Sequence, residues 1–334
     1  FMANIDGPLE WDLFSYENNK TKTVEEDVSY GDYLKRIVTS DGTFLAVLKT
    51  EEKNTNVLLV DEEGDTTTLS PVRTSRLSRD VEREVKEYGD SNGVLLSPED
   101  GDEGNLFIWM HGGPQRQVAK EYHPYLSYAV YDELLEKLVE DGNYVYKIDY
   151  TGSSGYGADF RKALTMNVGD IEMRDVEDAI DDIKKDQDID NVYLIGNSYG
   201  GYMALRGIVD YPEKLDGVIS INGVSDWYGL IQAIPSSPFI KVFNGVPDTH
   251  NLDEYMQASV FVGMDELARR DKVLVVWGEN DSTVPVWQST KYVEFAEKQG
   301  VNLETLSFDD EDHILRKRKN LDKLYDTISE FFNL

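Results

Sequence analysis

Three short loops of this 334-residue chain hold residue types that together could do acyl-transfer chemistry. Gly196-Asn197-Ser198-Tyr199-Gly200 follows the apolar run Val192-Tyr193-Leu194-Ile195 and leads into a helical pattern. A serine held between glycines at a strand-to-helix turn is presented as a nucleophile, because the turn is strained and nearby backbone leaves no room for a Cβ. The five-residue pattern alone arises by chance in roughly one chain in ten of this length, so its partners decide. A serine hydroxyl is a poor nucleophile and needs an imidazole to take its proton. The imidazole needs a carboxylate to fix its tautomer and stabilise the imidazolium. Asp281 stands in Trp277-Gly278-Glu279-Asn280-Asp281, after the apolar run Val273 to Trp277. His313 closes Phe308-Asp309-Asp310-Glu311-Asp312-His313, after the last predicted strand. With four histidines in all (His111, His123, His250, His313), His313 has few rivals as the base. Glu279, Asp309, Asp310 and Asp312 compete with Asp281 on paper and are read as solvated charges of an acidic surface.

A fourth loop, His111-Gly112-Gly113-Pro114, directly follows the predicted strand Leu106 to Met110. A turn of this type supplies a backbone N–H to an oxyanion hole. The second donor is the residue after the nucleophile, here Tyr199. Each such donor contributes about 10²–10³ in rate. His111 itself is read as structural.

These loops need elements to aim them. Residues 1–85 read as a small β-rich segment: Phe44 to Leu48, Val57 to Val60 and Thr66 to Leu69 are short strands between turns at Asp41-Gly42, Glu51 to Asn54 and Asp61 to Asp65. From 86 to 334 the pattern alternates β and α. Strands are expected at Val94–Leu96, Leu106–Met110, Tyr144–Ile148, Val192–Ile195, Gly217–Ile221, Val273–Trp277 and Leu303–Phe308. Helices are expected over 126–139, 168–183, from the elbow to about 210, 286–299 and at the C-terminus. This predicts a mostly parallel sheet with helices on both faces. Residues 224–270, rich in Pro, Gly, Ser and aromatics, interrupt the rhythm as a cap-like insertion before the Asp-bearing strand. Reactive groups of such a sheet gather beyond the carboxyl ends of its strands. The order Ser, Asp, His is that of the α/β-hydrolase fold.

Composition narrows the rest. Formal net charge is −31, from 64 acidic against 33 basic residues. Such a surface repels phosphate backbones and anionic membranes, which argues against nucleic acid or membrane as a partner. It reads either as adaptation to high salt or as a plainly very soluble surface. The absence of cysteine excludes disulfides, thiol catalysis and zinc-thiolate sites. No apolar run is long enough for a transmembrane helix. The start lacks a signal-peptide pattern, so the expected compartment is cytoplasmic, with a removed leader left open by Phe1 ahead of Met2.

Residues 85–334 resemble the catalytic domain of the prolyl oligopeptidase family of serine peptidases, nearest its acylaminoacyl-peptidase-like branch. The resemblance is carried by His111 to Pro114, Asp149-Tyr150-Thr151-Gly152-Ser153-Ser154-Gly155-Tyr156-Gly157, Gly196 to Gly201, Gly278 to Asp281 with Val284-Pro285, and Asp310 to His313. It implies Ser198, Asp281 and His313 as triad, the Gly113 and Tyr199 amides as oxyanion hole, and no metal or organic cofactor. Two departures stand out. Thr151 occupies a position where the family usually has Arg, which bears on a substrate or packing contact. The residues before the hydrolase domain are too few for the family's β-propeller, with a single blade-like hairpin unit expected, so the chain reads as a small relative or a fragment. Without the propeller, the first expectation is a carboxylesterase on small or medium esters, since an ester needs less leaving-group activation than an amide. The alternative is an acylaminoacyl- or aminopeptidase-like enzyme on short peptides. A catalytically inactive binding module is opposed by the complete set of catalytic residue types. Trp227, Tyr228, Phe239 and Phe243 are candidate pocket residues, and homo-oligomerisation is left open.

Overall fold

In the computed structural model the expected apolar runs pair into one sheet, and the residues ahead of them form two more. The structure describes residues 2–7, 9–17, 19–26, 28, 35–39, 42–51, 54–69, 73–74, 81–98, 103–120, 123, 125–267 and 272–334. The first sheet holds β1 (Met2–Gly7), β2 (Glu10–Glu17) and β3 (Lys20–Glu25). The second holds β4 (Lys35–Thr39), β5 (Gly42–Glu51), β6 (Asn54–Val60), β7 (Thr66–Thr68) and β8 (Arg73–Thr74). Both are antiparallel. Leu13, Val28, Val47 and Val60 meet in a small core shared by the two. The sequence reading recovers β5 to β7, the hairpin unit expected over 41–70, and misses β1 to β4 and β8, so a second sheet stands beside that unit. The reason is chemical: a strand such as Lys20-Thr21-Lys22-Thr23-Val24-Glu25 is mostly exposed and carries almost no apolar alternation. The predicted turns at Asp41 and between Glu51 and Asn54 include residues 41, 52 and 53, which lie outside the described residues.

The main sheet begins with β9 (Glu82–Tyr88), β10 (Ser91–Ser97) and β11 (Glu103–Met110), followed by α1 (Leu126–Glu140) and β12 (Tyr144–Asp149). Next come α2 (Gly157–Ala163), α3 (Ile171–Asp186), β13 (Asp188–Asn197), α4 (Tyr199–Asp210) and β14 (Gly217–Ile221). The insertion contributes α5 (Trp227–Ala233) and α6 (Leu252–Ala258). The chain ends with β15 (Lys272–Gly278), α7 (Trp287–Gln299), β16 (Asn302–Phe308) and α8 (Arg318–Phe332). Strand order is β16-β15-β14-β13-β11-β12-β10-β9. β9 and β10 are antiparallel at one edge and the rest run parallel. This is the α/β-hydrolase fold, as expected.

Two apolar layers explain why the sheet is covered on both faces. Met173, Val176, Ala179, Ile180 and Ile183 of α3 recur at helical spacing and are buried with residues of α4, α7 and the insertion. Leu324, Ile328 and Phe332 of α8, four residues apart, pack with α1 on the other face. Strand register then fixes the site. Met110 pairs with Gly196, Gly196 with Ser220, Ile221 with Val276 and Gly278 with Phe308. The loops after β11, β13, β14, β15 and β16 therefore leave the sheet side by side.

The N-terminal strands touch this end of the molecule. The Trp11 indole donates to Gln117 Oε1 at 2.8 Å and Asn4 Nδ2 donates to the Gly155 carbonyl at 2.7 Å. Leu9 packs against the core that α1 and α8 share.

Candidate active site

Ser198 sits at the junction of β13 and α4 with φ 61° and ψ −116°, a region that L-residues rarely enter and that costs on the order of 1–3 kcal/mol. Packing holds it there. The Ser198 N–H donates to the Ile221 carbonyl at 2.8 Å, and its own carbonyl accepts the Tyr202 N–H at 3.0 Å to start the helix. A Cβ on Gly200 would lie 1.9 Å from the Met110 carbonyl oxygen, so only glycine lets α4 come this close to β11. The motif glycine is thus a packing requirement of the turn.

The three predicted partners converge. His313 Nε2 lies 2.9 Å from Ser198 Oγ, and His313 Nδ1 lies 2.7 Å from Asp281 Oδ2. The other carboxylate oxygen, Oδ1, accepts the N–H groups of Thr283 and Val284 at 2.8 and 2.9 Å. These partners leave Oδ2 aimed at the imidazole and fix the Nδ1–H tautomer, with Nε2 free to accept the serine proton. Ser198 and Asp281 are buried, at 7% and 9% exposure, while the imidazole keeps a solvent-facing edge.

Three of the four competing carboxylates are engaged elsewhere, and Asp309 is exposed. Asp310 pairs with Lys317 and Lys319, and Asp312 with Arg316. The Asp310 carboxyl is held far below the usual carboxylate range, first by its hydrogen bonds to the two lysines. Glu279 accepts from the Trp277 indole at 2.8 Å. Glu311 is buried and accepts the backbone N–H groups of Arg316 and Lys317 and the Asn320 amide, tying the His313 loop to the start of α8.

One residue that the sequence reading passed over holds the site together. Asn222, the first residue after β14, is buried with φ 49°. Its N–H donates to the Val276 carbonyl at 2.8 Å. Its Nδ2 donates to the His313 carbonyl at 2.9 Å, and its Oδ1 accepts the Gly278 N–H at 2.9 Å. One side chain thereby links the Asp and His loops. Gly278 permits the approach: a Cβ there would fall 2.3 Å from the Asp312 carbonyl oxygen. An Asn-Gly pair after a strand signals only a turn, so nothing local marked Asn222.

The His111–Pro114 turn lies against the serine. A Cβ on Gly112 would lie 3.0 Å from Ser198 Cβ and 3.6 Å from its Oγ. Gly113 follows with φ 109°, and Tyr128 Oη donates to the Gly112 carbonyl at 3.1 Å. Tyr199, the first residue of α4, is among those whose N–H has no acceptor within its own helix. His111 is buried, stacked on Tyr150 and within 3.0 Å of Ser153 Oγ, as its structural reading expected.

The pocket candidates divide. Trp227 and Phe243 are fully buried in an aromatic cluster with Tyr199, Tyr202 and Tyr255. They offer no surface to a ligand and are core, a correction to their reading as lining. Phe239 is 8% exposed, with its ring stacked 6.2 Å from that of Tyr199. Tyr228 is 37% exposed on α5. Below Tyr199, its hydroxyl donates to Glu172 Oε1 at 2.6 Å, and the Gly169 N–H reaches the same oxygen at 2.7 Å. Burial pushes the Glu172 carboxyl up to about 7, against the opposing effect of the Tyr199 and Gly169 hydrogen bonds. Thr151 brings no cation to this region; its N–H donates to Asp175 Oδ2 at 2.5 Å. The Asp175 carboxyl is also raised by burial. Among the described residues no group of three or more His, Asp or Glu side chains is placed to hold a metal ion, and no helix is long and apolar enough to cross a membrane.

The family model of the prolyl oligopeptidase family matches residues 130–334. The chain belongs to that family. It is 24% identical over 238 residues to the acylamino-acid-releasing enzyme of Mus musculus, an alignment that covers 68% of this chain and 31% of the mouse protein. Its fold superposes on the Pyrococcus horikoshii acylaminoacyl peptidase with a TM-score of 0.77 at 19% identity, covering 97% of this chain and 52% of the other. The Porphyromonas gingivalis dipeptidyl peptidase 4 gives a TM-score of 0.79 at 17% identity, with 100% of this chain and 47% of the other covered. The chain therefore spans about a third of the mouse relative's length and about half that of the two solved structures.

Proposed function

We propose that this family member cleaves short peptides, with Ser198 as nucleophile, His313 as general base and then general acid, and Asp281 as the carboxylate that orients the imidazole. His313 Nε2 takes the Ser198 proton as Oγ attacks the carbonyl carbon of the scissile bond. Nε2 then returns the proton to the leaving amine, giving an acyl-enzyme that water hydrolyses by the same steps. The Gly113 and Tyr199 N–H groups stabilise the oxyanion as charge develops on the carbonyl oxygen. No step needs a cofactor. The observation that carries the catalytic roles is the continuous chain of hydrogen bonds Ser198 Oγ–His313–Asp281, at 2.9 and 2.7 Å.

Family membership moves the substrate from the ester first expected to the peptide alternative, since relatives named as acylamino-acid-releasing enzyme and dipeptidyl peptidase share this fold. Peptides with an acylated or free N-terminal residue are the class that these relatives suggest. Three substrate series decide between bond types: N-acetylated peptides, aminoacyl-p-nitroanilides and short p-nitrophenyl esters, each with the intact chain and with S198A. The expected result is amide cleavage that S198A abolishes. Full activity in S198A would refute the triad, and ester turnover without measurable amide turnover would restore the esterase reading.

A further inference from the structure

Arg116 stands at the mouth of this site on a fixed stretch of backbone. Its N–H donates to the Pro114 carbonyl at 3.0 Å, and its carbonyl accepts the Ser154 N–H at 2.8 Å. The side chain lies over Gly113, where a Cβ would fall 2.8 Å from Arg116 Cγ and 3.7 Å from its Nε. Gly112, one residue back, is the glycine against Ser198. The guanidinium is exposed and reaches one neighbouring acceptor, the Gln115 carbonyl at 3.2 Å from Nη1. Among the described residues no carboxylate comes within ion-pairing distance of it. Other exposed cations, Arg161 and Lys162 among them, likewise face no described carboxylate; Arg116 is set apart by its place over Gly113, next to the glycine that lies against Ser198. Elsewhere Lys214 is taken by Glu177 and Asp181, Arg206 by Asp210, and Lys291 by Asp226. A guanidinium left unclaimed beside the oxyanion turn is a fork of N–H donors suited to a planar anion.

We infer that Arg116 binds a carboxylate of the substrate, either the free α-carboxylate of a short peptide or an Asp or Glu side chain close to the scissile bond. The inference rests on Ser198 being the nucleophile. In an otherwise acidic surface Arg116 offsets the repulsion that an anionic peptide meets on approach. Because the guanidinium is exposed, the gain is that of a solvent-screened pair, about threefold to fivefold in kcat/KM and smaller at high salt.

The test compares matched peptides that end in an acid or an amide, and peptides with Glu or Gln at each position flanking the cleaved bond. Each is assayed with the intact chain, R116Q and R116K. The expected result is a preference of threefold or more for one carboxylate-bearing member, seen in KM, reduced in R116K and absent in R116Q. The acid and amide series locate the carboxylate at the terminus, and the Glu and Gln series locate it on a side chain. Equal kcat/KM for every matched pair, or a preference that survives R116Q, overturns the assignment. Calorimetric binding of the same pairs to S198A, with and without R116Q, keeps the question separate from catalysis. Turnover by S198A would refute the nucleophile, while the acid-over-amide binding difference would still decide Arg116.

Discussion

Changing Asn222 to Asp alters one atom and separates the roles of that side chain. The variant keeps an oxygen to accept the Gly278 N–H, now 2.9 Å from Oδ1. It replaces the donor that reaches the His313 carbonyl at 2.9 Å with a second oxygen. The loss is therefore one hydrogen bond plus an electrostatic repulsion between two buried acceptors, about 2–3 kcal/mol. At about 2–4 °C per kcal/mol for a domain of 150–250 residues, Tm should fall by roughly 4–12 °C. The larger effect falls on the reaction. Once the His313 carbonyl is released, the imidazole loses its register with both Ser198 and Asp281. Misplacement of about 1 Å in a reacting group costs about 10²-fold, so kcat should fall about ten- to a hundredfold with little change in KM. N222G separates side chain from backbone, because glycine accepts the 49° φ of this position and offers neither hydrogen bond. Both variants should show the kcat loss. N222D alone should also move the acid limb of the pH–rate profile to higher pH, because an added carboxylate favours the imidazolium. Steady-state kinetics over pH 5–9, with Tm measured on the same samples, reads all of this. A kcat within twofold of the parent in N222G, with the fold intact, refutes the reasoning.

Three further outcomes follow from the same contacts. D281N keeps an oxygen for the Thr283 and Val284 N–H groups but favours the wrong imidazole tautomer; kcat should fall by about 10⁴ with the fold retained, and a loss below tenfold would remove Asp281 from the relay. E172Q should alter how stability depends on pH. A carboxyl raised from 4.5 to about 7 in the folded chain stabilises most below pH 4.5 and loses that contribution as pH rises through 7, on the order of 3 kcal/mol in all. E172Q should therefore gain on the parent in Tm as pH rises from 5 to 8, and parallel Tm–pH curves would show that Glu172 ionises normally. G278A places a methyl 2.3 Å from the Asp312 carbonyl oxygen, so the His313 loop must retreat. Its activity should drop at least tenfold, and labelling of Ser198 by a fluorophosphonate probe should slow in step; unaltered labelling would show that the loop tolerates the change.

The site was more legible in the sequence than the fold around it, and the physics of each explains the difference. A nucleophile, a base and an orienting carboxylate must be specific residue types at the ends of specific strands, so Ser198, Asp281 and His313 stood out once β13, β15 and β16 were placed. β13 and β15 are apolar on both faces because helices cover both sides, which makes continuous runs such as Val273 to Val276 easy to read, while β16, at an edge, alternates buried Leu306 and Phe308 with exposed Thr305 and Ser307. β9, reading Glu82-Arg83-Glu84-Val85-Lys86-Glu87-Tyr88, lies at the sheet edge with most of its side chains toward solvent, and its chain chemistry resembles a charged loop. The same holds for β3. Trp227 and Phe243 failed in the opposite direction. An aromatic-rich segment that breaks a β/α rhythm has the composition of a pocket wall, but here its large rings fill the space beneath Tyr199, and composition cannot distinguish filling a core from lining a cavity. Asn222 was invisible for a third reason. Its value lies in contacts with residues 56 and 91 positions away, made through two atoms of a small amide, and such a role leaves no periodicity and no motif. Residue types thus announce the reacting groups, whereas the groups that aim them are defined by tertiary distance. In the proposed Ser–His–Asp relay the three named members react, and Asn222 keeps two of them aligned by tying the Asp loop to the His loop.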